Sequence, residues 1–369
     1  MEVHVRQLTE NEIKTFVAFP FELYKKDPYW VGELKRDTVA LIALQNPFWQ
    51  KAERALFMAY RGEKPVGRIM AIVNRAHNEY YQEKTGFFGF FDAIEDATVS
   101  AALFASAEKW LKEHGMRVMR GPANPSSNHP YGLLVEGFGF MPAIMMPYNY
   151  PYYASLIERA GFTKIKDLLA FRRSKEDQFS ERFVKVCSRC EKHQQVVLRR
   201  LDLKNLDKEA EIIRQIYNEA WAQNWGFVPL TEQEMAAIVR ELKPVVLLEG
   251  TCVLEVDGKP AGFYICIPNM NHVLRVLRGS LSNPLRLIKA LRTWRKIKDA
   301  RLLMLGVAPE FRQRGIDLIL IKHIIEHGVA VWDWAELSWV LEDNAAMIHG
   351  IEECGCHLFK RYRVYQKDL

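Results

Sequence analysis

A short basic turn near the C-terminal end has residue types that could do chemistry: Arg312-Gln313-Arg314-Gly315-Ile316. An apolar stretch ending in Leu305-Gly306-Val307 runs into it, and a long apolar stretch from Ile316 to His327 runs out of it. A strand that turns through glycine into a helix presents backbone N–H groups at the positive end of the helix dipole, and glycine lets a ligand come close. Neighbouring arginines add charge-assisted contacts. The guest such a cradle suits is a pyrophosphate.

A second candidate region is Gly121 to Tyr153, rich in Asn, Ser, Pro, Gly and Tyr. Long loops of this kind form binding sites on rigid scaffolds, and they also form packed loops whose polar groups satisfy one another. Asn124, Asn128, Tyr131 and Asn149 are its candidate pocket residues. Glu136 could take a proton from an attacking amine, or be a solvated charge. Tyr148 could deliver a proton to a leaving group, or simply pack. Trp225 and Phe227, in Asn224-Trp225-Gly226-Phe227-Val228-Pro229, could line an apolar channel or anchor a corner between helices.

The six cysteines form no dense framework, so reduced thiols are expected. Cys187 and Cys190 make a CxxC with His193 close by, but nothing supplies the rest of a four-ligand zinc site, and in a helix this spacing is one turn. No resident metal is expected. The N-terminal residues lack the basic, apolar and small-residue pattern of an export signal, and no run reaches the ~18 apolar residues that span a bilayer, so a cytoplasmic protein is expected.

The net charge of +6 is unevenly spread. Residues 273–301 carry nine Lys or Arg against one acid, Asp299. This segment reads as an amphipathic helix with Leu285, Ile288, Leu291 and Trp294 on one face. It suits an anionic membrane surface or an acidic carrier protein; the plainer reading is a solvated helix packed on the second domain. A single basic element argues against a nucleic-acid partner.

The elements that must position these residues repeat. Lys64-Pro-Val-Gly-Arg-Ile-Met-Ala-Ile-Val-Asn74 and Lys259-Pro-Ala-Gly-Phe-Tyr-Ile-Cys-Ile-Pro-Asn269 share Lys, Pro, Gly, Ile and Asn at the same offsets. Each follows an apolar strand and a turn, predicting a β-hairpin. Each half then has a helix ending in His-Gly, a strand, a helix with an Ile-Glu pair and a C-capping Gly161 or Gly355, and a last strand. A chain of 369 residues exceeds one core, so the ordered repeat predicts duplication, with domains over 1–180 and 181–369.

The run from Arg312 to Gly315 after the Leu305-Gly306-Val307 strand resembles the cofactor motif of the GCN5-related N-acetyltransferase superfamily. The resemblance implies a splayed strand pairing with a pantetheine arm, a pyrophosphate on the turn, and Asn344 touching the cofactor. It implies an α/β (α+β) class, two tandem acyl-CoA N-acyltransferase domains, each a mixed, mostly antiparallel sheet flanked by helices. Asp317 stands where the family's motif has a small residue, and Ile351 (Ile157 in the first half) stands where it has a general-acid tyrosine. The first half, with Ala93-Ile-Glu-Asp-Ala97 at the turn, is expected to bind no CoA there. The runs Gly121–Phe138, Met145–Phe162 and Asn224–Met235 look like a poorly characterised bacterial family of tandem acyltransferase-like proteins.

The expected function is acyl transfer from acetyl-CoA or another acyl-CoA to a small-molecule amine entering between the halves. Two alternatives stand beside it: a non-catalytic binding protein of this fold, and an aminoacyl-tRNA-dependent transferase of the peptidoglycan-bridge type.

Overall fold

The computed structural model describes residues 2–192, 195–245, 250–328 and 330–369; His193 lies outside them. The chain divides into two compact units, neither continuous in sequence. One holds Met1–Leu168, Asn271–Trp294 and Lys360–Leu369; the other holds Leu169–Met270 and Arg295–Phe359.

The first unit contains β1 (Val3–Gln7), α1 (Ile13–Leu23), α2 (Lys35–Ile42), β2 (Ala52–Arg61), β3 (Lys64–Asn74), α3 (Arg75–Tyr81), β4 (Thr85–Ala93), α4 (Ala97–Glu113), β5 (Val118–Gly121), β6 (Leu133–Glu136), α5 (Tyr153–Arg159) and the start of β7 (Thr163–Ser174). The second takes the rest of β7, then α6 (Glu181–Lys192), β8 (Val196–Arg199), α7 (Leu206–Trp221), α8 (Glu232–Leu242), β9 (Thr251–Val256) and β10 (Lys259–Pro268). The hairpin of α9 (Asn271–Leu277) and α10 (Pro284–Trp294) returns to the first unit. The sequence reading had placed this basic hairpin on the second domain. Asn271 and Gly279 decide otherwise, through bonds described below. β11 (Asp299–Val307), α11 (Ile316–Gly328), β12 (Trp334–Leu341) and α12 (Ala345–Glu353) complete the second unit, and β13 (His357–Asp368) ends in the first.

The duplication is explicit in the pairing. β1 to β4 are antiparallel neighbours in chain order and β4 runs parallel to β5. β8 to β11 repeat the order, and β11 runs parallel to β12. The repeated Lys-Pro-x-Gly segments are β3 and β10, the second strands of the two hairpins. The glycines expected to cap helices, Gly161 and Gly355, have φ of +89° and +78°, a conformation that costs most other residues.

In the first unit β3 is buried along nearly its whole length. α4 covers it with Val99, Leu103, Phe104, Ala107 and Leu111, spaced to share one helical face. Beside β5 lies the end of β13, bringing Tyr365 into the core, with β6 paired to the same strand. In the second unit Leu169 and Phe171 of β7, Ile321 of α11, Leu337 of β12 and Ile351 of α12 make one cluster with Phe183 and Cys187 of α6.

Candidate functional site

The parallel pair of each unit parts after a few residues. β11 and β12 are in register only from Asp299↔Trp334 to Leu302↔Leu337, while β11 stays paired to β10 as far as Val307. This is the splay the resemblance implied. Its surroundings are apolar and occupied: Leu302, Leu305 and Val340 pack on the cluster containing Phe183 and Cys187. Gly306 lies under Phe263 and Trp221, where a Cβ would come within 2.9 and 3.1 Å of the rings.

The turn behind it is shaped as expected but not free. Gln313 and Gly315 have φ of +62° and +73°, and α11 starts at a fully buried Ile316. Arg312 donates from Nη2 to the carbonyl of Ala220 at 2.7 Å. The Arg314 guanidinium lies 5.3 Å from the Phe311 ring centre. A Cβ on Gly315 would stand 2.3 Å from Cys190 Sγ. Burial and the nearby Asp317 carboxylate both push the Cys190 thiol up. Arg312, Gln313 and Arg314 are exposed at this turn, with Cys190 of α6 and the Asp317 carboxylate as its neighbours. Asn344 caps α12, its side chain accepting from Met347 N at 3.2 Å. Phe227 is buried and packs on Tyr217, with ring centres 5.7 Å apart, so it anchors the corner between α7 and α8; Trp225 is half-buried. Ile351 and Ile157 are core residues.

Cys187 and Cys190 sit one turn apart on α6, and burial pushes the Cys187 thiol up to about 12. Among the described residues no three His, Cys, Asp or Glu side chains gather to hold a metal.

In the first unit the corresponding turn is closed by its own chemistry. Asp96 caps α4, accepting from Thr98 N and Val99 N, and pairs with Arg61. A carboxylate already holds the donors an anion would use. Its splay is filled too. β4 and β5 are in register only to Phe87↔Arg120. Beyond that, Ala123 N donates to Phe88 O at 2.8 Å and Phe90 N donates to Asn124 Oδ1 at 2.6 Å. Gly89 is glycine because a Cβ would stand 1.7 Å from Ala123 O.

The room in this unit lies beside that splay. A solvent-open cleft of about 170 Å³ runs between α1, α2, the bulge of β4 and the 122–149 loops. Val17, Phe21, Trp30, Val31, Leu41, Phe90, Phe91 and Met146 make its apolar walls. Arg68, Asp92, Asn124 and Asn149 bring the polar groups. Asp92 is 8% exposed and accepts from Arg68 Nε at 2.8 Å, Tyr24 OH at 3.0 Å and Tyr153 OH at 3.3 Å. Arg68 also donates to Phe16 O at 2.8 Å. Burial raises the Asp92 carboxyl, while Arg68 and the two tyrosines pull it back down. Tyr24 stacks on Trp30, ring centres 5.1 Å apart, and so ties this buried network to the wall.

The structure brings Asn124, Asn149 and Tyr148 to the cleft. Asn149 is also a latch, bonding both backbone groups of Leu134. Tyr148 donates to Asp27 Oδ2 at 3.1 Å, and burial with that carboxylate raises its hydroxyl well above the usual range. Glu136 is not in the cleft wall; it is exposed on β6 and pairs with Arg361 at 3.1 Å. Tyr131 is buried beside the bridge to Ala123, and Asn128 lies in a turn where its N–H donates to Ser126 Oγ at 3.3 Å. Asp92 and Arg68 were missed. Their one signal was a charge set in each of two otherwise apolar strands, Gly67-Arg68-Ile69 and Phe91-Asp92-Ala93.

Comparison with known proteins agrees with the architecture. A model of the acetyltransferase (GNAT) family matches residues 210–356. Protein YghO of Escherichia coli (strain K12) is 36% identical over 372 residues, covering 98% of this chain and 94% of that protein. A protein named bacterial ceramide synthase, from Caulobacter vibrioides (strain NA1000 / CB15N), is 36% identical over 375 residues, covering 98% and 96%. A tandem GNAT protein from the clavulanic acid biosynthesis pathway, solved without acetyl-CoA, shares the fold over all of this chain and 98% of its own, with a TM-score of 0.56 at 12% identity. With two splayed parallel strand pairs in tandem and relatives matched end to end, the chain belongs to the GNAT acyltransferase family, in its tandem form.

Proposed function

We propose that the protein is an N-acyltransferase that joins the acyl group of a thioester, acyl-CoA in the first instance, to the amine of a long-chain amino alcohol of the kind found in ceramides. The observation that carries the reading is the cleft of the first unit, with aromatic and aliphatic walls and Arg68, Asp92 and Asn124 among its lining. A cleft that pairs apolar walls with fixed polar groups suits an amine with an apolar chain and a polar head. The end-to-end relationship to a bacterial ceramide synthase supports the same acceptor class.

In this reading the walls hold the aliphatic chain, and the carboxylate edge of Asp92 and the Asn124 side chain orient the ammonium and hydroxyl groups. The neutral amine attacks, the amide C–N bond forms, the thioester C–S bond breaks, and the proton lost by the nitrogen ends on the departing sulfur as the free thiol.

The test is mass spectrometry of the amide formed from a long-chain amino alcohol and a series of acyl-CoA chain lengths. Val31→Trp, placed in the cleft wall, is expected to raise the acceptor KM at least tenfold while leaving thermal unfolding unchanged. Absence of amide with every chain length, or preference for a short polar amine, would overturn the reading.

A further inference from the structure

The segment Asn271–Trp294 carries five Lys or Arg and no Asp or Glu. Asn283 starts α10 by accepting from Arg286 N at 3.1 Å, with Pro284 as the first helical residue. The helix shows the protein a small face: Ala290 is its buried residue. Its solvent side is inverted relative to an ordinary surface helix. Leu285, Ile288 and Leu291 are 76%, 49% and 60% exposed, and Leu287 is 36% exposed. At three-residue spacing the first three form one row. Lys289 and Arg292 are exposed beside it.

The hairpin is fixed to the walls of the cleft. Lys35 N donates to Gly279 O at 3.0 Å, and Asn271 Nδ2 donates to Pro142 O and Ala143 O at 2.9 and 3.1 Å. Gly279 must be glycine, since a Cβ would stand 2.4 Å from the Phe21 ring. Phe21 and Pro142 line the cleft. The loops next to these ties expose Tyr29 and Phe140, at 37% and 48%.

We propose that the outward face of α10 docks on an anionic lipid surface, laying Leu285, Ile288 and Leu291 among the acyl chains and its basic residues among the headgroup phosphates. Charge selects the occupant: a wholly basic segment complements an anionic bilayer. The aliphatic row separates lipid from nucleic acid, because a phosphate backbone rewards the cations and leaves the leucines in water. Aromatic side chains near the same rim belong where an apolar layer meets water. The docking is a binding event independent of acyl transfer, and it would bring the cleft to where a long-chain amine resides.

The experiment is co-sedimentation of the full chain with phosphatidylglycerol-containing vesicles and with pure phosphatidylcholine vesicles, at low and high salt. The expected result is at least tenfold preference for the anionic vesicles, weakened by salt. The triple variant Leu285→Ser/Ile288→Ser/Leu291→Ser and the separate variant Lys289→Gln/Arg292→Gln should each lose tenfold or more, with circular dichroism unchanged. Equal binding to both vesicles, or wild-type binding by the leucine variant, overturns the proposal. Binding to an acidic carrier protein but to neither vesicle overturns it as well and gives the face to a protein. Amide formation from a solubilised amine alongside failed vesicle binding would sink the docking alone.

Discussion

Asp92 shows how one buried charge organises the cleft. It has lost most of its water and is held by a guanidinium and two phenols, whose contacts offset part of the cost of its burial. Removing one partner of such a group leaves the other stranded. Asp92→Asn is expected to destabilise the protein by about 3–5 kcal/mol, because Arg68 would keep its charge without a counterion. The urea midpoint measures this. A loss below about 1 kcal/mol would mean that water already reaches the pair. Neither residue stood out in the sequence, because an isolated Arg or Asp in a strand reads the same whether it faces water or a partner in the next strand. Their meeting depends on the β3–β4 register, in which Arg68 stands opposite Asp92.

At the scale of the element, the Gly315 turn has a structural reason for its glycine. It carries a left-handed φ and meets Cys190 of α6. Gly315→Ala is expected to cost about 1–3 kcal/mol from strain and overlap. Adding Cys190→Ala should return part of that loss, the coupling of a double-mutant cycle. If the two changes simply add, α6 does not press on the turn. The strand, turn and helix were legible because periodicity and punctuation are local. The neighbour of that glycine was not, because Cys190 of α6 lies more than a hundred residues away in sequence. Glu136 and Tyr131 illustrate the same limit: their residue types suited a site, yet Arg361 claims one and the core claims the other.

For the whole molecule, each compact unit draws on distant segments. The first needs the last ten residues of the chain, where Tyr365 is fully buried and Arg363 binds Asp167 at 2.9 Å. A chain ending at Phe359 is therefore expected to lose hydrogen-exchange protection in β5 and β6, although both lie more than two hundred residues upstream. Protection retained in those strands would show that the unit is complete without β13. No helix among the described residues is long and apolar enough to cross a membrane.

The sequence by itself determined the duplicated order of strands and helices, the hairpins at Lys64 and Lys259, the capping glycines and the family, because these rest on short-range periodicity and turn chemistry. It also showed that the first half has no glycine cradle, and Asp96 supplies the physical closure. Only the tertiary structure decided which unit keeps the basic hairpin, which side chains line a cleft and which helix packs against the Gly315 turn. Those outcomes follow from strand register and helix packing, which join residues far apart along the chain and leave no local trace in it.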